Sequence, residues 1–286
     1  MIYLTKEQFK DIIEHAKKEY PKEACGILAG KIVHGPQSTD HSPRSTVHGL
    51  EVKIVERVYK MQNVSEKPEV CYFMDPKEQL KVFKEIRQLG IEMLGIYHSH
   101  TNAPACPSAR DCEMAFYPEA DYVIISLKDF NNLEVGAFKI TEGNIKEEQI
   151  IVRKNILFVC IENSCRSQIA EAIVNNFYWQ KFVAYSAGSK PSGIVNPLAI
   201  EVMKEIGIDI SNQKSKGFDE VKGIEFDYVV TLGCGDVCPF YPAKKKFDLN
   251  IPDPKDKPIE FFRKVRDEIK NKIDEMIKEV EKDEVV

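Results

Sequence analysis

The stretch KNILFVCIENSCRSQIAEA, Lys154 to Ala172, decides the fold of the second half of this chain. KNILFVC carries a continuous apolar run of the length a buried strand uses, and SCRSQIAEAIVNNFYW reads as the helix that follows it. Only a short polar loop separates the two. Outward from this stretch the alternation continues with FVAYSAG (strand), NPLAIEVMKEIG (helix), FDYVVTLG (strand) and PIEFFRKVRDEIKNKIDEMIKEVEK (long helix). Alternating β and α segments predict an α/β domain on an open parallel sheet with helices on both faces.

The pattern before Val152 is different. Thr5-Lys6-Glu7-Gln8 reads as a capping box that starts a helix running to about Tyr20, and ACGILAGKIV reads as a strand. Residues 34 to 50 are polar and contain His34, His41 and His48, which predicts a solvated loop. A strand near Val52 to Tyr59, a helix from Asp75 to Gln88, the buried run MLGIYHSH and a short helix after Pro107-Ser108 follow. Three strands near YVIISL, VGAFKI and EEQIIV complete an α+β domain. The expected division is therefore 1–152 and 153–286, with no Gly, Ser or Pro run at the join.

Composition agrees with two globular cores. The chain has 286 residues, 43% apolar and 30% charged, with a formal net charge of -5. No window approaches the roughly 18 apolar residues of a membrane span, and the first residues lack a secretory h-region. Charge is spread evenly, so nucleic acid is not an expected partner. Eight cysteines are too few for a disulfide scaffold, which points to a reduced, cytoplasmic protein. All six histidines lie in the first 100 residues, so chemistry in the second half must rest on other groups.

His98-Ser99-His100 follows a buried strand, and residues two apart on a strand share a face. The helix beginning near Ser108 brings Asp111 in as a third ligand. Two imidazoles and a carboxylate leave one position of a tetrahedral Zn²⁺ open, the catalytic arrangement. HSHTNAPACPSARD resembles the signature of JAMM (MPN-plus) zinc metallopeptidases, and PKEACGILAG resembles their N-terminal Glu-x-Cys-Gly segment. The resemblance covers about residues 1 to 150. It implies that Glu23 is the general base and that Ser108 helps to stabilise the oxyanion. It also implies an (iso)peptidase acting on ubiquitin-like or sulfur-carrier proteins. A zinc-binding domain that recruits a carrier without cutting it is the alternative. Cys25, Cys71, Cys106 and Cys112 read as bystanders.

Cys160-x5-Arg166 lies where a strand turns into a helix. Loop N–H groups and the guanidinium can surround a tetrahedral oxyanion there, and the same groups are expected to depress the Cys160 pKa. Phosphate and arsenate share that shape. VCIENSCRSQIAEA resembles the loop of the low-molecular-weight tyrosine phosphatases, and more closely that of thioredoxin-coupled arsenate reductases on the same fold. The resemblance covers about residues 154 to 282 and extends to SAG, VVTLGCGDVCP and NIPDP. It implies Cys160 as nucleophile, Arg166 as clamp, Asn163, Ser164, Cys165 and Ser167 as loop residues around the oxyanion, and Asp253 as general acid. Glu162 stands where glycine is common in the phosphatases. Cys234 and Cys238 resemble the reductases' redox pair, which a phosphatase would not need. A small metal site is the other reading of that pair. The resemblance implies arsenate or phosphate as ligand, thioredoxin or an equivalent dithiol as partner, no organic cofactor, and protein tyrosine phosphatase as the alternative activity.

Overall fold

The computed structural model describes residues 1–34, 51–142, 144–233 and 241–283. They form two compact units, Met1–Val152 and Arg153–Val286. Among the described residues no helix is long and apolar enough to cross a membrane.

The first unit contains β1 (Ile2–Thr5), α1 (Lys6–Glu19), β2 (Cys25–His34), β3 (Glu51–Met61), α2 (Pro76–Leu89), β4 (Glu92–His100), α3 (Ala109–Glu113), β5 (Asp121–Ser126), β6 (Glu134–Thr141) and β7 (Asn144–Glu148). Their order in the sheet is β1-β3-β2-β4-β5-β6-β7. Among the described residues of this unit β1 with β3 and β4 with β5 pair in parallel, while β2 with β3, β2 with β4, β5 with β6 and β6 with β7 are antiparallel. Both faces are covered. Ile12 and Ala16 of α1 pack with Leu28, Leu94 and Tyr97 on one face, while Ile86 of α2 packs with Ile27, Ile96 and Ile124 on the other. A register shift between β2 and β4 pairs Leu28 with Gly95 but Ala29 with Met93, leaving Leu94 as an extra residue. That bulge decides which face the end of β4 presents.

Local signals set the helix starts. Thr5 and Gln8 form the reciprocal capping box of α1, and the Asp75 carboxylate accepts from the N–H groups of Lys77 and Glu78 before Pro76 enters α2. Three readings are corrected. β1 was not anticipated; its four residues are too few for a periodic pattern. β2 extends to His34, one residue into the stretch read as loop. EEQIIV is not one strand: β7 ends at Glu148, and a new strand begins at Ile150 after the Gln149 carbonyl accepts from the Ile2 N–H. His41 and His48 lie outside the described residues.

The second unit contains β8 (Ile150–Cys160) from Arg153 onward, α4 (Arg166–Phe177), β9 (Phe182–Gly188), α5 (Pro197–Lys204), β10 (Phe226–Thr231), β11 (Ala243–Asp248) and α6 (Ile259–Asp283). The strands run in the order β9-β8-β10-β11, and every neighbouring pair is parallel. Residues alternate between the two faces of β8. Ile156 and Phe158 join a core with Ile173 of α4, Val202 of α5 and Ile269 of α6. Leu157 and Val159 face the other way, toward Val221 and Phe226, with Phe218 and Tyr241 packed against them. Burying one such aliphatic or aromatic side chain contributes roughly 1.5–3 kcal/mol. Helices were expected on both faces, but α4, α5 and α6 share one core. Among the described residues a single 3-10 turn, Phe218–Val221, and stacked aromatic rings serve the other. β11 was also missed, because AKKKFD carries three lysines and little apolar signal.

Candidate functional site

Each unit gathers its titratable side chains at the C-terminal end of one strand. In the first unit that strand is β4. Ile96 faces the α2 core, so His98 and His100, two and four residues on, share its face. Their Nε2 atoms stand 3.1 Å apart. The Asp111 carboxylate closes the group, with Oδ1 3.2 Å from His98 Nε2 and Oδ2 3.3 Å from His100 Nε2. Asp111 is held by the α3 capping box. Its N–H donates to Ser108 Oγ, and Oδ2 accepts from the Ser108 N–H at 2.7 Å. Ser108 is thus a cap as well as a lining residue, a structural role the motif does not announce.

The donor set fits a divalent transition ion. Two imidazole nitrogens and one carboxylate oxygen lie within 4.8 Å of one another, and all three residues are buried. His100 Nδ1 bonds the Pro104 carbonyl at 2.8 Å, which leaves Nε2 as the lone-pair atom. His98 Nδ1 is buried with no partner. Burial disfavours protonation of His98, against the pull of Asp111. For His100 burial acts the same way, but the bonds to Asp111 and the Pro104 carbonyl win and raise it. Burial also opposes ionisation of Asp111, yet the bonds from both histidines and from Ser108 hold it far below the ordinary carboxylate range.

Glu23 shares a cavity of about 240 Å³ with Cys71, Tyr72, His100, Ser108 and Asp111. Burial pushes its carboxyl up to about 7, opposed by His100 and reinforced by Asp111. The strand entry beside it is fixed by Ser99, whose Oγ accepts from the Ala24 N–H while its own N–H donates to the Ala24 carbonyl. The residue between the two histidines therefore ties the Glu23 segment to β4. A Cβ on Gly26 would come within 2.3 Å of the Tyr97 ring and the Tyr59 carbonyl, so only glycine fits next to that entry. Sequence reasoning missed Tyr72, which stacks on the His98 ring with centroids 4.6 Å apart. No periodicity or spacing marks it. Cys25, Cys106 and Cys112 stay outside the triad, while Cys71 lines the cavity with its sulfur 2.9 Å from Ser65 Oγ.

In the second unit the strand is β8, and Cys160 is its last residue. Asn163 turns the loop in the left-handed region, at φ 48°. Its N–H donates to Cys160 Sγ at 3.2 Å, and Ser167 Oγ lies 3.0 Å from the same sulfur. The Asn163 amide donates to Ser167 Oγ and Ser186 Oγ, both at 2.8 Å, and its Oδ1 accepts from Gln168 and from the Lys216 N–H. Ser186 in turn donates to Glu171, which Lys216 Nζ pairs at 3.1 Å. Asn163, Ser167, Gln168 and Ser186 are fully buried, so this network fixes the loop from beneath. The SAG segment has a steric reason. A Cβ on Gly188 would lie 2.6 Å from the Ile161 carbonyl.

Arg166 is 5% exposed. Its Nη1 donates to the Leu232 and Ile251 carbonyls, and Nη2 donates to Asp253 Oδ2 at 2.8 Å. Helices α1, α2, α3 and α5 each have a side-chain N-cap, whereas Cys165 gives α4 none. No side-chain cap therefore competes with an anion for the start of α4, where the Ser167 N–H is turned to the Cys160 sulfur. Cys160, Glu162, Ser164, Arg166, Asp253 and Lys255 line a cavity of about 70 Å³ above the sulfur. One expectation is corrected here. Burial raises the Cys160 thiol, and the Ser167 hydroxyl and N–H, the Asn163 N–H and the Arg166 charge offset only part of that. Cys234 and Cys238 lie outside the described residues.

Residues 155–286 match the family model described as low molecular weight phosphotyrosine protein phosphatase, and residues 5–140 match prokaryotic homologs of the JAB domain. Arsenate reductase 2 of Staphylococcus epidermidis is 45% identical over 126 residues, 43% of this chain and 95% of that protein. Arsenate reductase of Staphylococcus aureus is 45% identical over 124 residues, 42% of this chain and 93% of the relative. A solved arsenate reductase in its phosphate-binding state is 35% identical, with a TM-score of 0.41, over 44% of this chain and 98% of that one. With the cysteine loop and the His-His-Asp triad each inside a matched region, the chain belongs to the low-molecular-weight phosphatase family in its arsenate-reductase branch, preceded by a domain of the prokaryotic JAB type.

Proposed function

We propose that the second unit reduces arsenate to arsenite through a cysteine relay and that the first is a zinc-dependent (iso)peptidase. The observation that carries the reductase reading is the Cys160 sulfur, placed before the uncapped start of α4 with the Asn163 N–H, Ser167 Oγ and Arg166 around it. The identity with the Staphylococcus arsenate reductases supports it.

Loop N–H groups and Arg166 hold the oxygens of arsenate. The Cys160 thiolate forms an S–As bond as one As–O bond breaks, and Asp253 protonates the leaving oxygen, which departs as water. Cys234 then attacks the Cys160 sulfur. A disulfide forms, the S–As electron pair passes to arsenic, and As(V) leaves as As(III) in arsenite. Cys238 attacks Cys234, freeing the Cys160 thiolate, and thioredoxin or an equivalent dithiol reduces the Cys234–Cys238 disulfide. A Cys234→Ser variant should lose thioredoxin-coupled turnover while arsenate still protects Cys160 from alkylation. Undiminished turnover would remove Cys234 from the relay.

In the first unit His98, His100 and Asp111 would hold Zn²⁺, which when bound supplies Lewis acidity toward a scissile carbonyl and its attacking water. Glu23, held near 7 by burial, can accept a proton and return it to the leaving amine. Ser108 Oγ accepts from the Asp111 N–H, so its hydroxyl hydrogen is left to donate to the carbonyl oxygen. The cavity of about 240 Å³ falls below the roughly 300–1,000 Å³ of drug-sized pockets and suits a narrow extended chain. A ubiquitin-like or sulfur-carrier protein joined through a C-terminal Gly-Gly has that shape. The test compares cleavage of such a fusion by wild type and Glu23→Ala, with zinc content measured in both. Zinc without Glu23-dependent cleavage would favour a carrier-binding domain. The six free cysteines among the described residues support a reducing, cytoplasmic setting.

A further inference from the structure

The cavity above Cys160 has a small volume and an unusual mouth. About 70 Å³ of water-accessible space, at roughly 10–15 Å³ for each water-sized oxygen, holds the four oxygens of a tetrahedral anion and little else. Its floor is Cys160, a residue only 3% exposed. Its rim is formed by two side chains that lie 93 residues apart in sequence and meet in an ion pair, Lys255 Nζ on Glu162 Oε1. The backbone is held at each end of the pair, while the two side chains remain partly exposed. The Glu162 carbonyl accepts from Ser215 Oγ and the Ser192 N–H, and the Lys255 N–H donates to Asp253 Oδ1.

The position of the pair matters because displacement at phosphorus or arsenic is in line. The nucleophile enters opposite the leaving group. With Cys160 on the floor, the leaving oxygen points to the mouth. For free arsenate that oxygen departs as water, which needs no more room than the cavity gives. For a phosphate ester the S–P bond would form as the P–O bond to the ester carbon's oxygen breaks, and the whole alcohol would occupy the rim. We propose that the Glu162–Lys255 pair is a specificity gate that admits free inorganic oxyanions to Cys160 and excludes esterified ones. The gate also has a charge function. Glu162 alone would set a negative charge beside an anion site, and Lys255 neutralises it.

This inference rests on the oxyanion reading of the loop but not on arsenate turnover, and its test needs no reductant. Full-length wild type, Lys255→Ala, Glu162→Gln and the double variant Glu162→Gly/Lys255→Gly are compared in two assays. One is hydrolysis of 4-nitrophenyl phosphate, and the other is protection of Cys160 from iodoacetamide by arsenate. The double variant should gain about tenfold or more in kcat/KM for the ester while its arsenate protection constant moves less than about threefold. Lys255→Ala should weaken arsenate protection and Glu162→Gln should strengthen it, each by about threefold to tenfold at low salt. An unchanged ester rate in the double variant, or single variants that shift protection in the same direction, would overturn the gate. Failure of the reductase reading looks different: wild type would show arsenate protection and the gate's selectivity, but no thioredoxin-coupled turnover.

Discussion

The two sites solve opposite electrostatic problems from the same starting point, the end of a buried strand. The first brings together acceptors: imidazole nitrogens of His98 and His100 and carboxylates of Asp111 and Glu23, drawn from three separate stretches of chain. Such a group is complete only with a cation. The second brings together donors: the Asn163 N–H, the open start of α4 and the Arg166 guanidinium, nearly all from one loop. That group is complete with an anion. Burial therefore acts differently in each. It lifts Glu23 to about 7, the range a general base uses, whereas on Cys160 it opposes the thiolate that the surrounding donors favour.

Four substitutions would break or sharpen this contrast. The largest effect is expected at Glu23. Glu23→Gln keeps the shape and should lower Gly-Gly fusion cleavage by about 10²–10⁴ with zinc content unchanged. Cleavage within tenfold of wild type would show that the proton carrier is another group. Asp111→Ala removes both a ligand and the α3 capping box, so zinc affinity measured by chelator competition should fall about 100-fold or more, beyond the range of outer-shell changes. Retained zinc would place the ion elsewhere.

In the second unit Gly188→Ala forces a Cβ against the Ile161 carbonyl and should destabilise that unit by about 1–3 kcal/mol in denaturant melts. A neutral result would mean that the loop yields easily and is not held in place from beneath. The smallest effect is a shift in reactivity. Ser167 offsets burial at the sulfur, so Ser167→Ala should raise the Cys160 pKa further. Less thiolate is then present at a given pH below it, and the alkylation profile should move to higher pH. Movement to lower pH would reverse the assigned role of the hydroxyl.

The difference between the sites also explains what could be read from sequence. A site made by one loop is written contiguously: Cys160, Asn163, Arg166 and Ser167 sit within eight residues, and the flanking strand and helix declare themselves by apolar run and period. The first site was legible in its ligands because two of them share a strand face and the third follows a cap signal. What supports those ligands was not legible. Tyr72 reaches His98, and Lys255 reaches Glu162, through tertiary packing that no local spacing encodes. β11 was hidden by its lysines, of which Lys245 spends its charge on Glu279 and Asp283 of α6, so a strand position reads as a charge run. The Cys160 shift was misjudged because donors are visible in a motif while the depth of burial is not.

The most direct test of two separate and opposite sites is thioredoxin-coupled arsenate reduction by the full chain, measured in wild type, Cys160→Ser and His100→Ala. The account predicts turnover in wild type, none in Cys160→Ser, and retained turnover in His100→Ala. Turnover that survives Cys160→Ser, or that disappears with His100→Ala while the second unit stays folded, would contradict it.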